Sequence, residues 1–78
     1  INSFAYANLE NTNFKNARLW NTDFGSANLT NADLSGADLR SAYLGDADLS
    51  NANLSGANLE NAVLTNAILD CVGHHICQ

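Results

Sequence analysis

The sequence contains no methionine, and only three of its 78 residues are basic against eight acidic, a formal net charge of -5 with both histidines neutral. Direct binding to nucleic acid needs a footprint of Lys and Arg to neutralise phosphates, and a chain so short of cations does not carry one. No apolar run is long enough for a membrane-spanning helix. Arg-rich amphipathic and signal-like stretches are missing as well. The chain begins at Ile1, so the expectation is a processed or trimmed product from which any targeting segment has been removed. The length allows one small domain with a thin core.

What is present is a period of five. Leucine or phenylalanine recurs at every fifth residue from Phe4 to Leu69, fourteen times without a slip. Two positions before each stands a small residue, except Asn2 at the start: alanine at every repeat from Ala27 to Ala67 and threonine at Thr12 and Thr22. Between the small and the large residue lies a position usually filled by Asn or Asp, such as Asn28, Asp33, Asp48 and Asn53. Such a repeat takes precedence over any local reading of secondary structure.

Neither regular element accommodates this spacing. Five residues turn an α-helix through roughly 500°, which would smear the leucines around the cylinder. Along a continuous strand an odd repeat would send alternate leucines to opposite faces. The pattern works if alanine and leucine, two apart, point inward together and the next two residues make a corner. Asn11, Asn16, Asn21, Asn31, Gly36, Asn51, Gly56, Asn61 and Asn66 occupy the second corner position. Asn and Gly best tolerate the positive φ of a tight turn. Residues 31–50 resemble 51–70, Gly25 and Gly45 stand twenty apart, and so do Gly36 and Gly56, which points to four sides per turn.

The motif Ala-(Asp/Asn)-Leu-x-x, as in Ala32-Asp33-Leu34-Ser35-Gly36 and Ala57-Asn58-Leu59-Glu60-Asn61, resembles that of the pentapeptide-repeat proteins over residues 2–71. The resemblance implies an all-β fold, a right-handed quadrilateral β-helix of about 3.5 coils with four five-residue sides each. Residues 1–70 then form the β-helix and residues 71–78 a C-terminal cap. Arg18, Tyr43, Val63 and Ile68 depart from the motif at its Asn/Asp position.

The ends and the outward columns supply the candidate sites. Too few residues precede the first repeat to cover an open N-terminal coil of Phe4, Leu9, Phe14 and Leu19, so removed residues, a second copy or a larger assembly is expected there. In the tail, Val72 fits the small inward slot and His74 falls where the next leucine belongs. Cys71 and Cys77 have three readings: a disulfide closing a tight loop, free or interchain thiols, or a zinc site with His74 and His75 whose spacing is poor. A disulfide favours an oxidising compartment. With twenty residues per turn, Trp20, Arg40 and Glu60 stack on one edge, where Arg40 could lie over the indole and pair with Glu60 or the column is no more than a surface ladder. Tyr43 and Val63 share a column with Asp23, and Ile68 lies round the corner, giving a candidate partner contact unless the cap itself lies on Val63 and Ile68.

Three functional classes follow. A rigid prism without a pocket suits a non-enzymatic scaffolding module that acts through protein–protein contacts, with no cofactor, metal or catalytic residue implied. Some pentapeptide-repeat proteins act on DNA gyrase by resembling duplex DNA, which makes such a mimic the alternative. Duplex DNA carries a negative charge per roughly 1.7 Å, denser than eight acids offset by three bases supply. Catalysis lacks convergent geometry in the sequence. The family's abundance in cyanobacteria and thylakoid lumens, with an oxidised cysteine pair, points to a thylakoid lumen or another oxidising compartment as the location.

Overall fold

Every peptide unit must find a partner for its N–H and C=O, and this chain finds most of them one coil away. The computed structural model describes residues 2–78, and Ile1 lies outside the described residues. Parallel bridges join Ser3 to Asp23, Asp23 to Tyr43 and Tyr43 to Val63, and three neighbouring columns repeat the twenty-residue step. The Leu29 N–H donates to the Asp48 carbonyl at 2.8 Å while the Asn28 N–H donates to the Ala7 carbonyl at 2.9 Å, so adjacent residues tie one side to the coils on both sides of it. Each turn thus contains four pentapeptides. The faces are named here by their bridged columns: the first by Ser3, Asp23, Tyr43 and Val63; the second by Asn8, Asn28, Asp48 and Ile68; the third by Asn13, Asp33, Asn53 and Val72; the fourth by Arg18, Asp38 and Asn58.

Corners separate the faces. The second corner residue has positive φ at every repeat from Tyr6 to Asn66, between 58° and 70°. An i to i+3 bond closes each one, as from the Ala32 N–H to the Leu29 carbonyl at 3.0 Å, which is the pattern of a type II turn. Tyr6, Ser26, Ser41 and Asp46 adopt the left-handed conformation alongside the Asn and Gly residues. For such residues this region costs about 1–2 kcal/mol. The ladder holds them there: the Ser41 N–H, for example, donates to the Glu60 carbonyl at 2.9 Å.

The Asn/Asp position has a specific duty. The N–H of the first corner residue lies outside the ladder, and the preceding Asn or Asp side chain accepts from it. Asp33 Oδ1 accepts from the Ser35 N–H at 3.0 Å, Asp48 Oδ1 from Ser50 at 3.0 Å and Asn58 Oδ1 from Glu60 at 3.0 Å. These Asx turns recur around the prism and explain a polarity that exposure alone does not require. Arg18, Tyr43, Val63 and Ile68 carry no such oxygen.

The interior is filled by the Ala–Leu pairs. Phe24 and the leucines from Leu29 to Leu54 are fully enclosed, with alanines between them. At the N-terminal mouth Phe4, Leu9 and Phe14 are half-buried, but Leu19 is only 7 % exposed and so departs from the expected open coil. Phe4 and Phe14 project from opposite faces and meet edge-on with centroids 5.8 Å apart, and both pack on Phe24. A phenyl ring spans more of the interior than leucine does, and the mouth is partly plugged by rings.

The C-terminal register also differs from expectation. The last bridge joins Asn53 to Val72, nineteen residues apart, and the Val72 N–H donates to the Ala52 carbonyl at 3.0 Å. Asp70 stands alone in the corner after Leu69, one residue fewer than every earlier corner. Cys71 therefore takes the small inward slot, 7 % exposed, and Val72 points outward, 57 % exposed. Gly73, not His74, follows in the slot of the next leucine.

Hydrogen bonds from Ser35 and Ser50, side chain first and then backbone, hold the Asp33 and Asp48 carboxyls below the ordinary range, and the Arg40 side chain does the same for Asp38. Depressed native pKa values mean that this stability is present above the unfolded carboxylate pKa near 4 and lost as pH falls through the lower native values. Stability from urea melts is therefore expected to be flat between about pH 5 and 7 and to fall below about pH 4. The double substitution Asp33→Asn and Asp48→Asn keeps the Asx acceptors and should make that fall shallower; an unchanged acid limb contradicts the assignment.

Candidate interaction surfaces

The exposed aromatic residues converge on the first face. Tyr43 stands in its centre, Trp20 is at the corner it shares with the fourth face, and Tyr6 is at the opposite corner. Tyr6 is 84 % exposed, Trp20 62 % and Tyr43 44 %, and Val63 continues the column below Tyr43. The Tyr43 ring lies along the surface over Gly25 and Gly45. A Cβ at Gly25 would come within 3.0 Å of the ring, and one at Gly45 would collide with it. Neither glycine is needed for positive φ; both make room for Tyr43, a pairing that the twenty-residue spacing of the glycines did not by itself reveal.

On the fourth face Arg40 turns to Asp38, and the contact with Trp20 and Glu60 that its column allowed is not made. Its Nε donates to Asp38 Oδ1 at 2.8 Å and its Nη2 to Oδ2 at 2.7 Å, a two-pronged contact two residues apart. The side-chain hydrogen bond with Asp38 raises the Arg40 pKa, and Glu60 adds a weaker pull through space. The local fork wins because Asp38 is already oriented by accepting from the Arg40 backbone N–H.

Round the C-terminal rim the outward positions of three successive faces are Val63, Ile68 and Val72. Val63 and Ile68 remain exposed, so the cap does not lie over them as one reading of the sequence supposed. The tail instead turns across the end of the core. Cys71 and Cys77 are joined in a disulfide, their Cα atoms 5.0 Å apart, and the Gln78 N–H donates to the Leu69 carbonyl at 2.7 Å. Ile76 packs against the core, while Leu59 and Leu64 stay half-buried beside an open groove of about 500 Å³ that His74 and His75 border. With both sulfurs bonded to each other a zinc site there has no thiolate, and among the described residues no three His, Cys, Asp or Glu converge on a metal position. Among the described residues no helix is long and apolar enough to cross a membrane.

The bridge closes a short loop, so its loss should cost about 2 kcal/mol through the entropy of the unfolded chain. Substitution Cys77→Ser is expected to lower the melting temperature by roughly 10 °C, and reduction of the native chain by a similar amount. Identical melting with and without reductant contradicts a bridge that secures the tail.

The pentapeptide-repeat family model matches residues 7–46 and 42–72 with eight copies. Among solved structures, a pentapeptide-repeat protein of the Arabidopsis thaliana thylakoid lumen superposes with a TM-score of 0.90 at 32 % identity, covering 99 % of this chain and 54 % of that one. HetL, a pentapeptide-repeat protein of the cyanobacterium Nostoc involved in heterocyst differentiation regulation, gives 0.61 at 32 % identity over 91 % of this chain and 36 % of its own. Rfr23 of the cyanobacterium Cyanothece gives 0.53 at 34 % identity over 92 % and 47 %. The chain thus spans about half the length of the thylakoid-lumen protein. Comparison with curated protein sequences gives no significant match. The repeat, the twenty-residue ladder and these likenesses agree: the chain belongs to the pentapeptide-repeat family and folds as a right-handed β-helix.

Proposed function

We propose that this chain is a non-enzymatic interaction module, a quadrilateral prism of about 3.5 coils that presents its first face to a protein partner while residues 71–78 cap the far end. The observation that carries this reading is the departure from the Asx rule. Tyr43 and Val63 give up the acceptor oxygen that the repeat otherwise places at their positions, and leave apolar surface in solvent instead. A sequence selected for the solenoid alone has no reason to make that exchange, whereas an interface does, because aromatic side chains contribute area with little entropy to lose. Tyr6 and Trp20 at the two corners extend the same face. Pentapeptide-repeat proteins are in general non-enzymatic structural modules, which supports the same reading. The disulfide suits an oxidising compartment, and the lumen of the Arabidopsis relative is one such setting. The gyrase-mimic alternative gains nothing from the geometry, since the carboxylates fall on all four faces and form no continuous stripe.

The test is a triple variant, Trp20→Ala, Tyr43→Asn and Val63→Asn, in the intact chain. The two asparagines restore the Asx acceptors to Gly45 and Thr65, so the melting temperature should hold or rise. Complexes captured from the native source by the parent chain are expected to lose their specific partner with the variant. Full retention of that partner by a folded variant sinks the proposal.

A further inference from the structure

The register of the coil sorts the charges as well as the aromatics. All three basic side chains border the fourth face: Lys15 at one of its corners, Arg18 in its central column and Arg40 at the corner it shares with the first face. Six of the eight carboxylates lie elsewhere, and of the two on this face Asp38 is occupied by Arg40. The other, Glu60, stands two coils away from Trp20. Lys15 acts partly on Asp33 of the neighbouring face, whose pKa it helps to lower. The Arg40–Asp38 contact is the one salt bridge among the described residues, so Arg18 is a cation without a carboxylate partner.

Arg18 also sits at an Asx position. In the next two coils Asp38 and Asn58 accept from the backbone N–H groups of Arg40 and Glu60. Arginine has no acceptor, so the Trp20 N–H lacks the oxygen that its column provides elsewhere. The indole rises between two shallow depressions, one of about 230 Å³ bordered by Arg18 and one of about 370 Å³ bordered by Arg40 and Glu60. A guanidinium, an open backbone donor and an exposed indole therefore stand together on a protein whose net charge is -5.

We propose that the edge shared by the first and fourth faces is a docking site for an acidic protein segment. The proposal rests on the interaction-module reading and names the chemistry of the partner. A partner carboxylate takes the place of the missing Asx oxygen, accepting from the Trp20 N–H and from Arg18, while an adjacent apolar side chain lies on the indole. Glu60 sets the direction, because it repels the acidic end of the segment and sends it toward the first coil. The six carboxylates on the other faces disfavour a nucleic acid backbone, whose charge extends well beyond one edge.

Trp20 is the only tryptophan, so its emission reports on this edge alone. The intact, oxidised chain is titrated at low salt with an acetylated peptide, Asp-Glu-Phe-Asp-Glu, with its lysine counterpart, Lys-Lys-Phe-Lys-Lys, and with a uridylate oligonucleotide. The acidic peptide is expected to change the emission saturably, and to bind at least about tenfold more tightly than the lysine peptide. Substitution Arg18→Asn removes the cation and restores the Asx acceptor, so the fold is kept and affinity for the acidic peptide should fall about tenfold. Equal binding of the two peptides, no saturation below about 1 mM, tighter binding of the oligonucleotide, or indifference to Arg18→Asn each overturns the assignment. The interaction-module reading fails separately: if the captured partner survives Arg18→Asn but not the first-face triple variant, only the acidic-segment proposal falls.

Discussion

The backbone ladder between coils constrains everything else. Its hydrogen bonds run from each side to the coils one turn before and after, so successive layers must keep the spacing of paired strands, about 4.8 Å. The interior left by that stacking is narrow. It admits one large and one small side chain per side, which is why Ala and Leu alternate with an outward residue between them and why the chain must turn after two more. A right-angle corner that feeds the N–H of its second residue into the ladder requires positive φ there, and the chain meets that requirement even with Tyr6 and Asp46.

From the same constraint comes a division of labour among the five positions. Two hold the core, one holds the left-handed corner and one supplies a ladder carbonyl. The outward middle residue pairs with both neighbouring coils through its backbone, but its side chain has only a local duty, to satisfy the first corner N–H through an Asx turn. It is thus the position at which the chain can change chemistry at the smallest structural cost, a single exposed hydrogen bond. Arg18, Tyr43, Val63 and Ile68 all lie there, and Val72 joins them through the shortened last corner. The departures are concentrated on one face, one edge and one rim, which is how a repetitive scaffold acquires distinct surfaces without losing its interior.

Much of this was legible in the chain itself. The leucines from Leu29 to Leu54 and their alanines follow the period, and every one is enclosed. The columns that pair Asp23 with Tyr43 and Tyr43 with Val63 follow from a twenty-residue turn. What escaped is what the period does not encode. The missing corner residue after Leu69 shifts Cys71 inward and Val72 outward, because a repeat that has ended carries no phase. Arg40 chose Asp38, two residues away, over partners a whole coil distant, a contest decided by local geometry that column arithmetic leaves out. Leu19 is covered although the period assigns it to the open coil, and the Phe4 and Phe14 rings meet across that mouth, a matter of side-chain size that spacing leaves out. The aromatic face was visible only as separate columns until the corners placed Tyr6 and Trp20 on either side of Tyr43.

Amide hydrogen exchange resolved by residue tests the central claim most directly, since it asks which N–H groups the ladder holds. The account requires slow exchange at Leu29, Leu34, Leu39, Leu44 and Leu49, whose N–H groups donate to the following coil. It requires fast exchange at Gly45 and Thr65, the first corner residues that follow Tyr43 and Val63 and so lack an Asx acceptor. Ser35 and Ser50, with that acceptor, should fall between. Uniform protection along the chain, or slow exchange at Gly45 and Thr65 with fast exchange at the leucines, would contradict a coil held together one turn at a time.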